Sequence, residues 1–247
     1  MSAAPSQSDN YFPLCRPAIR DAGFPALNRT ACAVRRAFPP FTMSSALSAT
    51  SASRLTLLPD PRFKGIAPHL EDWLDTTGRH ITAANFASLL DPLMRRMLAD
   101  AFEDARAHEG LIWLLEPDGT QLTVAWQTGP ATASAPGKSI PSGAGLQGLV
   151  LASQQPHCAN GLCNDPNHDH QLDDMLGGVL CSEVIVPFYI ARQLKGVVTA
   201  LQHKPSPDAP DPEGFDPESL EEIELLSTSL GRLLDYRLLC QALDIEE

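Results

Sequence analysis

Five side chains able to hold a metal, His157, Cys158, Cys163, His168 and His170, fall within fourteen residues of a 247-residue chain that has six cysteines and seven histidines in all. Thiolate and imidazole together suit zinc, iron or copper, and Asp165, Asp169, Asp173 or Asp174 adds an oxygen donor. The spacing Cys-x4-Cys-x4-His-x-His lacks the paired C-x-x-C of a tight metal site, so three readings stand side by side. The loop holds a transition metal; or Cys158 and Cys163 form a thiol redox switch, favoured if neighbouring cationic His lowers a thiol pKa; or the loop is polar without either role. Cys181 and Cys240 lie in apolar surroundings and read as small core or interface residues. Cys158, Cys163 and Cys181 are nevertheless the set that thiol catalysis would use if they converge in space. Among the aromatic residues, Trp113 and Phe188 belong to buried strands and read as core. Trp126 and Tyr189 have a polar edge and join Cys158, Asp165, His168 and Asp173 as candidate ligand contacts. Nothing resembles a phosphate loop, a kinase motif or a Ser-His-Asp arrangement.

Composition narrows the partners. The net charge is −12, and residues 1–42 hold five Arg against Asp9 and Asp21, so the leader is near +3 and the remainder near −15. An acidic body argues against nucleic acid or an anionic membrane surface as the main partner, because both repel it. No apolar run has the length of a membrane span. Dispersed cysteines in a chain this long do not describe a secreted disulfide framework, which points to a reducing, cytoplasmic setting.

The elements that must position these residues follow from periodicity. Residues 1–60, rich in Ala, Ser, Pro and Arg, show no period and are expected to be a disordered leader, with Met43 as an alternative start and a transit-peptide role as the other reading. The segment 61–82 is helical, with a helix over 67–79. A second helical stretch runs over 83–108 with an apolar face; Pro92 either kinks it or opens a new helix capped by Asp91. Leu111–Leu115 and Gln121–Gln127 form a hairpin across the turn 117–120, with Leu122, Val124 and Trp126 alternating. Residues 128–141 read as a loop, 143–155 as a short helix, and 156–174 as polar and irregular, with a brief helix over 170–176.

The chain is organised around Val179–Gln202, VLCSEVIVPFYIARQLKGVVTALQ. It reads as a hairpin broken at Ala191-Arg192-Gln193 and apolar on both faces, hence covered on both sides. Pro187 predicts a bulge or an unpaired edge, and Gly196 a close approach of another backbone or a ligand. Asp216 and Pro217 open a last helix running to about Leu243, with one stripe at Ile223, Leu226, Leu230 and Leu233. A second stripe holds Ser227, Gly231, Leu234, Leu238, Ala242 and Ile245. The second stripe meets either the same chain or another subunit.

In this order, LIWLLEPDGTQL, IPSGAGLQGLVLASQQP, SEVIVPFYIARQLKGVVTAL and FDPESLEEIELLSTSLGRLL resemble the GAF domain family over residues 83–243. The resemblance implies an α+β fold for 83–247: a central antiparallel sheet, helices from both termini on one face, and a ligand cavity under loops and short helices on the other. It implies a sensory role, often in a dimer formed through the terminal helices. Bilin-binding members place a Cys before a His, whereas His157-Cys158 reverses that order, so no bilin is expected. Free methionine sulfoxide reductases place cysteines around the cavity, but Cys181 lies too close to Val184 for their pattern. The set of residues by which other members bind cyclic nucleotides has no counterpart here. The expected function is therefore a cytoplasmic, non-enzymatic sensor of a small molecule, metal or redox state. It is expected to act as a homodimer through the C-terminal helix or on a separate signalling protein. The alternatives are a free methionine-(R)-sulfoxide reductase-like thiol enzyme and a dimerisation scaffold that binds nothing.

Overall fold

The computed structural model describes residues 65–165, 172–173 and 177–243. The leader, most of the expected helix over 170–176, His168, Asp169, His170 and Asp174 lie outside the described residues. In chain order the elements are α1 (Ala67–Arg79), α2 (Ala83–Leu89), α3 (Pro92–Asp104), β1 (Glu109–Leu115), β2 (Gln121–Thr128), β3 (Ser139–Pro141), α4 (Gly145–Ser153), β4 (His157–Asn160), β5 (Val179–Ile190), β6 (Gln193–Lys204) and α5 (Pro217–Leu243), with a 3₁₀ turn at Leu162–Asn164. The strands form one curled antiparallel sheet in the order β3-β2-β1-β6-β5-β4.

The stretch over 83–108 is two helices. Pro92 lacks the N–H that a helix interior needs, and Leu90 is extended just before it. Asp91 then caps α3, accepting a hydrogen bond from Met94 N at 2.8 Å. Its other oxygen lies 3.4 Å from Arg237 on α5, so one carboxylate starts α3 and ties it to the last helix. Asp91→Ala is expected to cost about 1 kcal/mol, read as a fall in melting temperature of roughly 2–4 °C.

β5 and β6 meet in a two-residue turn, Ala191-Arg192, with φ of 52° and 60°. Both values belong to the left-handed region that matches strand twist in tight hairpins, and neither residue is glycine. Asp235 of α5 supports the turn by accepting from Ala191 N at 2.6 Å. β4 pairs with β5 only over Ser182–Ile185, so Pro187 sits on an open edge, as its missing N–H requires. Its carbonyl accepts from Ser227 Oγ of α5 at 2.9 Å.

Two cores sandwich the sheet. On one face α2, α3 and α5 bury Phe86, Leu98, Phe102, Phe188, Ile223 and Leu230, with Trp73 and Leu74 of α1 against them. On the other, α4 and the loops cover Leu111, Trp113, Val124, Val150, Ile185 and Val197. Ile223, Leu226 and Leu230 of one stripe, and equally Ser227, Gly231, Leu234 and Leu238 of the other, are buried within the chain; Leu233 and Ala242 are half-buried, and Ile245 lies outside the described residues.

Three expectations are corrected. The stretch 156–174 was expected to be irregular, yet His157–Asn160 is a strand, too short and polar to show a period and held by the edge of β5. Ser139–Pro141 is likewise a three-residue strand paired with β2 inside the expected loop. Trp126 does not share the face of Leu122 and Val124. The β1–β2 register shifts between Ile112 and Trp113, which leaves Ala125 as an extra residue and turns Trp126 to the helical side. There it stacks on Phe102 with ring centroids 6.4 Å apart.

Candidate functional site

The α4-covered face of the sheet carries polar groups among apolar ones. Direct cross-strand partners share a face, so the pairs Leu111↔Thr199 and Ile185↔Thr199 put Thr199 on the same side as Leu111 and Ile185. Trp113 and Glu183 are diagonal neighbours of Thr199, on β1 and β5 respectively. The three side chains thus run obliquely across β1, β6 and β5. All are buried, at 0 % exposure for Trp113 and Thr199 and 2 % for Glu183.

Their hydrogen bonding is incomplete. Trp113 Nε1 and Thr199 Oγ1 have no partner among the described residues. Glu183 receives a short hydrogen bond from Gln147 Nε2, on a residue of α4 that is itself buried. Burial pushes the Glu183 carboxyl up to about 8, against the opposing effect of Gln147. At neutral pH it is therefore mostly a protonated acid, able to donate as well as accept. Glu109, the other fully buried carboxylate among the described residues, shows what a satisfied acid looks like: it accepts from Ala131 N, Thr132 N and Thr132 Oγ1 at 3.0, 3.1 and 2.7 Å. Glu109 closes a turn, whereas Glu183 retains bonding capacity.

Beyond Thr199 on β6, His203 continues the same face. Its Nδ1 is buried and unpartnered among the described residues, and burial holds its pKa below the usual value. It meets His108 edge-on, with ring centroids 5.5 Å apart.

The cysteines and histidines singled out from the sequence divide. His157 and Cys158 are consecutive in β4 and point to opposite faces. Cys158 packs against the helical core with Sγ 3.9 Å from Phe215 O, and burial raises its pKa first, with Asp216 adding to it. Cys163, in the 3₁₀ turn, comes together with Cys181 and Asp211, their ligand atoms all within 4.8 Å of one another. Cys158 does not join that group. Asp165 follows the 3₁₀ turn as its C-cap. Asp173 accepts from Leu180 N at 2.8 Å, which starts β5. Tyr189 Oη donates to Gln154 Oε1 at 2.9 Å, and its ring lines an open groove of about 290 Å³ between β5 and α5, with Arg192, Glu224, Arg232 and Asp235.

Glu183, Gln147, Thr199 and Asp211 were not read as site residues. Glu183 did leave a trace, since it has the parity of Ile185 in a strand apolar on both faces. Asp211 left none, being 48 residues from Cys163 in a Pro- and Asp-rich loop.

A six-stranded antiparallel sheet between terminal helices and an α4-and-loop layer defines an α+β domain of the GAF type. The GAF domain family matches residues 87–235, and the chain belongs to that family. GAF domains are typically sensory or ligand-binding. The GAF-B domain of DevS from Mycobacterium smegmatis is similar at 17 % identity, covering 61 % of this chain and 93 % of its own, with a TM-score of 0.46. Free methionine-R-sulfoxide reductase from Neisseria meningitidis is similar at 19 % identity over 81 % of this chain and 98 % of its own, with a TM-score of 0.45. The blue-light-absorbing PixJ GAF domain of Thermosynechococcus elongatus is similar at 16 % identity over 69 % and 93 %, with a TM-score of 0.46. No curated relative matches the sequence. No helix among the described residues is long and apolar enough to cross a membrane.

Proposed function

We propose that this GAF domain senses a small polar organic molecule on the α4-covered face of its sheet, and that the signal leaves through α1 and α5. One observation carries this reading: Trp113, Thr199 and Glu183 present buried, under-used hydrogen-bonding groups in a diagonal across three strands. An unpaired buried donor or acceptor costs roughly 1–3 kcal/mol, and such costs persist where function requires them. A ligand with an acceptor for the indole N–H and a polar group for the hydroxyl and the protonated acid would relieve all three. Cytoplasmic action and homodimerisation belong to the same proposal. On α5 the exposed Leu225, Tyr236 and Leu243 lie on one outer line at spacings of 11 and 7, which suits a helix-to-helix contact with a second copy.

The test is Thr199→Val, a change of similar shape that removes the hydroxyl. Ligand-free protein is expected to gain about 1 kcal/mol of stability because an unsatisfied group disappears. Native mass spectrometry of the full chain purified from cells should show a bound organic mass in the wild type and its loss in the variant. Protein without bound mass, together with a variant destabilised by the change, would reject a ligand at this face.

A second reading, thiol-dependent reduction of methionine sulfoxide, draws support from the closeness of Cys163 and Cys181. It requires turnover of free methionine sulfoxide that Cys163→Ser and Cys181→Ser both abolish. A sensor shows none.

A further inference from the structure

The register of β5 against β6 slips between Leu180 and Ser182, leaving Cys181 as the unpaired residue of a bulge. Bulges re-aim a side chain that a regular strand would hold in its row. Here the re-aimed thiol belongs to a group with Cys163 of the 3₁₀ turn and Asp211 of the loop after β6. Three segments distant in sequence thus converge on one point: Cys163 Sγ lies 3.7 Å from Asp211 Oδ1, and Lys204 Nζ lies 2.7 Å from the same oxygen. Asn164 Nδ2 approaches Cys163 Sγ at 3.5 Å.

We propose that Cys163, Cys181 and Asp211 form a binding site for a thiophilic divalent cation of the zinc type, with solvent completing the coordination. Two sulfurs and one carboxylate oxygen make a donor set that such ions prefer over magnesium or calcium. Zinc–sulfur bonds of about 2.3 Å in a tetrahedron put the two sulfurs roughly 3.8 Å apart, within the span that the three atoms already occupy. Charge agrees with this. Two thiolates and the Asp211 carboxylate carry −3, and a divalent ion with the Lys204 ammonium carries +3, so the loaded cluster is neutral. The site differs from the sequence-derived cluster in that it uses Cys163 without Cys158 or His157. It is also independent of the organic-ligand reading, since it sits at the bulged end of β5 rather than on the Trp113–Thr199–Glu183 diagonal.

The experiment titrates the reduced, metal-free full-length chain with Co²⁺ alone and then with Zn²⁺ alone. One Co²⁺ per chain is expected, with sulfur-to-cobalt charge-transfer absorption and the visible bands of a tetrahedral ion, both bleached by Zn²⁺. Cys181→Ser and Asp211→Asn should each weaken binding by more than the roughly 10–100-fold that loss of an outer partner costs. Far-ultraviolet circular dichroism identifies any variant that has unfolded. Cys158→Ser should bind like the wild type. Protection offers a second readout on unmutated protein: Zn²⁺ should shield the half-buried Cys163, but not the half-buried Cys158, from alkylation in peptide mass maps. Absence of the charge-transfer band, binding that Cys158→Ser destroys, or shielding of Cys158 in place of Cys163 would each overturn the proposal.

Discussion

Glu183→Gln is expected to abolish a fall in stability that the wild type shows as pH rises from about 4.5 to about 8. The carboxyl has an ordinary value of 4.5 when exposed and is raised to about 8 in the fold, chiefly by burial. Between those values the folded chain keeps a proton that the unfolded chain has released. The folded state therefore binds more protons, and stability must decrease with pH across that window. Below it both states are protonated and nothing is lost; above it both are ionised and the slope ends. Glutamine keeps the shape, and its amide oxygen can still accept from Gln147 Nε2, the donor that Glu183 uses. The variant thus resembles the protonated acid at every pH. Relative to wild type it should be nearly neutral at about pH 5 and more stable by roughly 2–5 kcal/mol at about pH 8. Urea unfolding of ligand-free protein at both pH values checks this, and taking the difference between the two proteins removes the titration they share. Equal differences at both pH values would mean that the carboxyl is solvated, and the site would lose its protonated donor.

The parts of the fold that were legible in the sequence are those in which local chemistry and tertiary packing agree. Asp91-Pro92 and Asp216-Pro217 start helices because a short acidic cap and a proline at the first position suit the same geometry in isolation and in the fold. The β5–β6 hairpin was visible because both faces are buried and its apolar runs are long. Trp126 was misplaced for a definite reason. A bulge adds one residue, Ala125, and reverses the parity of everything beyond it, which alternation cannot reveal. The same kind of slip brings Cys181 towards Cys163, so the sequence could offer Cys158, Cys163 and Cys181 as a set without showing which two would meet. β3 and β4 were hidden because three or four polar residues become strands only when an edge offers hydrogen bonds. In the candidate site, Trp113 was correctly placed in the core, but that its indole N–H is unpaired among the described residues is a property of the neighbours that three strands bring to it. The family resemblance pointed to the α4-covered face of the sheet; the diagonal of polar groups required the register.

Gly196→Ala is expected to be among the most damaging single-methyl changes in the protein, and its effect should reach the site. Gly196 faces Phe188 on β5 and Leu114 on β1, at the centre of the sheet. A methyl group there would collide with the carbonyl oxygen of Trp113 and come within 3.0 Å of Leu114 Cα. These are backbone atoms of a strand paired on both sides, so no rotamer change relieves them, and β1 or β6 must move. Overpacking of this kind costs up to roughly 3 kcal/mol, equivalent to a fall in melting temperature of about 6–12 °C for a domain of this size. Gly143→Ala is the control, because its added methyl meets nothing within 4 Å, and it should melt close to wild type. The consequence for sensing follows from the register. Trp113 stands on β1 and Thr199 on β6, and the close approach at Gly196 sets the separation of those two strands. Displacing β1 moves the indole N–H relative to the hydroxyl by a large fraction of a hydrogen-bond length. Whatever fraction of Gly196→Ala remains folded should therefore lose the bound organic mass, while Co²⁺ binding at Cys163, Cys181 and Asp211 survives, because none of those residues is on β1.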